Sequence, residues 1–145
     1  GLLAGVAFTF LFAIAGLVAG RLADLTSRRT LVVASVVLSA AALAGLGCAT
    51  CFMWALAARV VLGLFQSLIG PGAYSLIAQT FPPTSRAKAN AVYGAGLYCG
   101  AALASISQVL NRSLGLGWRG THFLVAGAAL VMAAIAAKLI KEPPR

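Results

Sequence analysis

The chain has 145 residues, of which 61% are hydrophobic and only 9% charged, and its mean hydropathy is +0.99. A water-soluble domain carries about a quarter charged residues, so this chain cannot cover a solvated surface. Its formal net charge of +9 is no sign of nucleic-acid binding, because the basic residues sit at the ends of apolar runs and no Lys/Arg-rich arm is interleaved with aromatics.

Apolar runs of about 20 residues are long enough to cross a bilayer, and five recur along the chain. They predict spans over residues 2–22, 31–47, 52–81, 87–110 and 118–140. The fold class is therefore all-α, a polytopic membrane helical bundle, and residues 1–145 form part of one transmembrane bundle. The third run is too long for a straight crossing, so it should tilt, protrude or kink at Gly70-Pro71. The sequence opens at Gly1 inside apolar sequence with no charged leader, which a signal peptide would need. A piece of a longer protein is the expectation.

The basic residues alternate by connection. Arg21, Arg28 and Arg29 lie on the first, Arg86 and Lys88 on the third, and Lys138, Lys141 and Arg145 at the tail; the second connection carries none, and the fourth carries Arg112 and Arg119. Positive residues favour the cytoplasm. This predicts that loops 21–30 and 82–88 and the C-terminal tail are cytoplasmic.

The first loop, "GRLADLTSRR", concentrates charge. Gly20 lets a helix end pack closely on a neighbour. Asp24 is placed to pair with an arginine or to face the positive N-terminus of another helix. Arg28 and Arg29 are expected to anchor the loop in the headgroup layer. Orientation alone would explain the arginines but leave the acid unexplained.

Inside the third span, Arg59 stands about 12 Å from the helix end. A cation at membrane depth is costly and marks a functional hypothesis. At spacings of three and four it shares a face with Gly63, Gln66, Gly70 and Tyr74, a small and polar stripe suited to a cavity wall. The plainer alternative is that Arg59 snorkels to the headgroups while the glycines pack helices. In the fourth span Gly96 and Gly100 permit close helix contact. Tyr93 and Tyr98 could line a cavity through their hydroxyls or sit at an interface. Cys48, Cys51 and Cys99 read as small apolar filler, since a lone CxxC without further ligands makes a poor metal site. His122 reads as interfacial. The sequon Asn111-Arg112-Ser113 lies too near the membrane to be used.

These residues resemble the major facilitator superfamily. Gly20, Leu22, Ala23, Asp24, Arg28 and Arg29 match its signature Gly-x-Leu-Ala-Asp-Arg-x-Gly-Arg-Arg, with Leu25 and Ser27 in place of a basic residue and a glycine. "RVVLGLFQSLIGPG", "FPPTSRAKAN", "LGWRGTHF" and "KEPPR" follow in the family's order. The resemblance implies the second to sixth helices of an N-terminal six-helix domain, in a pattern similar to spinster-like or organic-anion-type members. It implies that the first helix and a C-terminal bundle lie outside this sequence, and that the Asp24 loop bridges the two halves when the protein opens outward. Gln66 stands where spinster-like relatives often carry a glutamate, which puts proton coupling through this position in doubt. Ala101 replaces the proline of the antiporter pattern Gly-x-x-x-Gly-Pro.

The implied function is a secondary transporter, a symporter or uniporter, that moves a small organic solute, an anion or an amphipathic lipid by alternating access. Its partners would be that solute, the lipid bilayer and the C-terminal bundle, with no nucleic acid and no cofactor. A non-transporting membrane scaffold or small subunit of a complex is the alternative. An intramembrane enzyme would need paired carboxylates, a Ser/His pair or metal ligands in the spans, and the sequence places none there.

Overall fold

The computed structural model describes residues 27–140 and the single position 13; at residues 107, 108, 110 and 114 it describes the backbone only. Among these residues four helices follow in order: α1, Arg28–Gly47; α2, Phe52–Thr80; α3, Pro83–Leu114; α4, Gly117–Leu139. The first expected span, with Gly20, Leu22 and Asp24, lies outside the described residues.

Helix starts explain the main boundary differences. Ser27 caps α1, its Oγ accepting from the Thr30 N–H at 3.2 Å, so Arg28 and Arg29 are helical rather than part of a loop. Pro83 occupies the first turn of α3, where its missing N–H costs nothing and its fixed φ favours the helix. The expected loop 82–88 thus shrinks to a corner at Phe81-Pro82. Arg86 and Lys88 ride on the first turns of α3. Gly115 closes α3 in the left-handed conformation at φ 62°, a backbone state that glycine adopts without a Cβ penalty.

Helix α2 runs unbroken through Pro71. At 29 residues it is about 43 Å long, longer than the bilayer core of about 30 Å. Pro71 withholds the bond that the Ser67 carbonyl would otherwise receive. By length and composition α1, α2 and α4 each suffice to cross a membrane. Helix α3 fills the fourth expected span at 32 residues, but glycine, serine and alanine dilute its apolar content. Such a helix needs protein against part of its surface to be stable in lipid.

Helix α1 is the centre of the described residues, packed along both α2 and α4. Its buried residues include Leu31, Val32, Ala40 and Leu46, with Ser35 and Ser39 four apart between them. Two small side chains one turn apart let a neighbouring backbone come close. Helix α4 buries small residues of its own, Ala126 and Ala133. The Ser39 Oγ is buried without a hydrogen-bond partner among the described residues, and an unpaired buried hydroxyl is a cost. Ser39→Ala should therefore raise the melting temperature of the detergent-solubilised protein, by up to about 1 kcal/mol of stability; a lower melting temperature would show that the hydroxyl is needed.

Close approach occurs at glycines other than those expected. A Cβ on Gly96, Gly100 or Gly70 would meet nothing within 4 Å, so the packing contact expected at these positions is not made by any described residue. Between helices, the tight sites among the described residues are Gly72, where a Cβ would lie 2.8 Å from Val32 Cγ2, and Gly47, where it would lie 3.2 Å from the Phe123 ring. The cysteines differ from expectation too. Cys48, Cys51 and Cys99 are exposed and do not fill the core.

Candidate functional site

Two arginines join α1 to α4 at opposite ends. Near the start of α1, the Arg29 guanidinium donates to the Ala137 carbonyl in the last turn of α4. Near the start of α4, Arg119 Nη2 donates to the Ala49 carbonyl just past the end of α1, at 3.0 Å. The last carbonyls of a helix lack intrahelical donors and carry the negative end of its dipole. Arg29 thus neutralises the C-terminal end of the antiparallel α4, and Arg119 holds the turn that follows α1. Arg29 was expected to face the headgroups; instead it is half-buried and tied to protein. Losing either tie should cost about 1–3 kcal/mol. The sites are a helix length apart, so the losses in Arg29→Ala and Arg119→Ala should add in the double variant. Thermal melts of the four proteins in one detergent check this.

The α2–α3 corner has its own arginine. Arg86 Nε donates to the Phe81 carbonyl at 3.0 Å, while the Phe81 N–H donates to the Ile77 carbonyl at 3.0 Å. This gives the "FPPTSR" pattern a physical role. The arginine reaches back five residues and holds the turn that reverses the chain.

At the far end of the bundle the Trp54 indole N–H donates to the Gly45 carbonyl at 3.0 Å, fixing α2 on α1. The Arg119 guanidinium also lies over the Trp118 ring, 5.3 Å from its centroid. Trp118 in turn meets the edge of His122 at 5.7 Å, and His122 Nδ1 lies 2.6 Å from the Trp118 carbonyl.

Of the residues expected to line a cavity, Tyr74 and Tyr93 come together. Their rings meet edge to face at 5.1 Å, joining α2 to α3. Tyr98 stands apart, 80% exposed. Arg59 and Gln66 are exposed on α2, Gly63 is buried and Gly70 half-buried. The small and polar stripe therefore divides, with Gly63 turned to protein and its two long polar side chains open. Sequence reading missed both interhelix arginine ties. Their only signal was position, one arginine in the first turn of each of two helices that turn out to be antiparallel neighbours.

The Major Facilitator Superfamily profile matches residues 1–145. A relative in Streptomyces coelicolor, described as a probable actinorhodin transporter, is 32% identical over 135 residues, which is 90% of this chain and 23% of that protein. Two crystal structures of a bacterial homologue of the human lysosomal transporter Spinster are similar. The inward-facing unoccupied form matches at 25% identity with a TM-score of 0.80, covering 95% of this chain and 34% of the other. The inward-facing occupied form matches at 26% identity with a TM-score of 0.83, covering 100% and 37%. This chain thus spans well under half the length of each. Matched along its whole length and superposing on these helices, the chain belongs to the Major Facilitator Superfamily as part of an integral, multi-pass membrane protein.

Proposed function

We propose that these helices are most of the N-terminal bundle of a secondary transporter that works by alternating access. In that mechanism one bundle rocks against another around a site near the midplane. The family match along residues 1–145 carries this reading, and the name of the Streptomyces coelicolor relative supports transport as its activity. The cargo is a small organic solute, an anion or an amphipathic lipid, met by Arg59, Gln66 and the tyrosines of α2 and α3.

The cytoplasmic loop works as a latch. Asp24 faces the other bundle in the outward-open state, and its contacts break as the protein opens inward. A charge contact at a moving interface biases a two-state equilibrium by a few kcal/mol. Arg28 and Arg29 stay on this bundle, and the bond from Arg29 to Ala137 supports that division of roles. On this reading loops 21–30 and 82–88 and the tail lie in the cytoplasm.

A thermal-shift screen of the full-length protein against organic anions and lysolipids identifies the cargo, since a ligand that prefers the folded state raises the melting temperature. Uptake of the compound so found should fall about tenfold in Asp24→Asn, equivalent to about 1.4 kcal/mol of lost coupling, with membrane insertion unchanged. Wild-type uptake in Asp24→Asn would remove the latch.

A further inference from the structure

A cleft of about 290 Å³ opens between α1, α3 and α4 at the end of the bundle remote from Arg29. Its lining is graded by depth. Asn111, Trp118, Thr121 and His122 stand at the rim, in the last turn of α3 and the first turns of α4, whereas Leu43 and Ala104 lie one to two turns further in. The rim holds donors to spare: neither the Asn111 amide nor the Trp118 indole N–H has a hydrogen-bond partner among the described residues. His122 turns Nδ1 to the Trp118 carbonyl, which leaves Nε2 for the cleft. Arg112 follows Asn111 directly and Arg119 follows Trp118. The chain's two acids, Asp24 and Glu142, both belong by sequence to the opposite end.

We propose that this cleft binds one phospholipid of the adjoining leaflet, with an anionic phosphate headgroup at the rim and an acyl chain along the apolar floor. The polar-to-apolar gradient runs in the direction of a lipid lying in its leaflet. The surplus of N–H donors and positive charge at the rim favours a phosphate headgroup of net negative charge over a zwitterionic one, whose own cation the basic rim repels, because charge-assisted hydrogen bonds are the stronger ones. Basic pockets between transmembrane helices hold headgroups by this chemistry. Such a lipid would fasten α3, the helix least tied to the rest, to the α1–α4 pair. The inference needs the membrane location but not the transport cycle.

Native mass spectrometry of the delipidated full-length protein, titrated with phosphatidylglycerol or phosphatidylcholine, tests it. One phosphatidylglycerol should bind with an affinity about tenfold above phosphatidylcholine, and Asn111→Leu/His122→Leu should erase the difference. Arg29→Ala, at the other end, should keep it. If the double variant does not survive purification, the exposed Arg112→Gln serves instead, with a loss of preference expected. Equal binding of the two lipids by wild type, or an unchanged preference in the rim variants, overturns the site. So does displacement of the lipid by a soluble amphiphile such as a short-chain lysolipid at equal concentration, which would make the cleft a passage for other molecules.

Discussion

Gly72→Ala should destabilise the helical bundle by about 1–3 kcal/mol, more than an alanine for glycine exchange in a helix would lead one to expect. In isolation the change favours a helix by about 1 kcal/mol. Here the added methyl would sit 2.8 Å from Val32 Cγ2, inside contact distance. Val32 cannot swing aside, since a β-branched side chain on a helix has essentially one rotamer, and it is buried at 8% exposure. The backbones of α1 and α2 must separate instead, next to Pro71, where α2 has already lost a hydrogen bond. Val32→Ala in the same chain removes the opposing methyl, so the double variant should recover most of the loss. Melting temperatures of the four proteins decide it. A loss that Val32→Ala leaves unrelieved would mean that Gly72 matters for its backbone rather than for its contact.

Arg59→Ala should lower uptake at least about tenfold, the equivalent of one lost interaction of about 1.4 kcal/mol, while membrane insertion stays the same or improves. The asymmetry is the point of the prediction. Arginine within a helix is costly in lipid, by about 2.5–3.5 kcal/mol at the centre, so a residue kept only for structure would be better as alanine. Arg59 is exposed on α2 and is the only charged residue along Phe52–Thr80. Arg59→Lys keeps the charge but loses the planar fork that grips carboxylate and phosphate, and should fall between wild type and alanine. Wild-type uptake in Arg59→Ala would return the residue to the headgroup layer as a snorkelling side chain.

The helices were legible in the sequence because hydropathy and punctuation agree. Thr50 and its neighbours end one apolar run and begin another, and α1 and α2 fall within a few residues of expectation. The charged ends were misjudged for one reason. Arg28, Arg86 and Arg112 were assigned to loops by their polarity, whereas Ser27, Pro83 and Gly115 set the helix ends around them. Local pattern says which residues are helical, but not which helices are neighbours. That is why Gly96 and Gly100 were expected to pack and Gly47 and Gly72 were overlooked: the partner atoms at Phe123 and Val32 belong to helices distant or reversed in the chain. The pairing of Tyr74 with Tyr93 was hidden for the same reason. Each tyrosine was a reasonable cavity candidate alone, and only the fold puts one ring against the other.

The two sides of α1 are completed at different moments of synthesis. Trp54 meets Gly45 across 9 residues, so the first hairpin can close almost as soon as it is made. Arg29 must wait for a carbonyl 108 residues downstream, about 5–20 s at ribosomal speed. For that interval α1 stands in the membrane with its α4-facing side uncovered and its arginine unmatched. Nascent chains halted before Ala137 should therefore be the ones that quality-control proteases find.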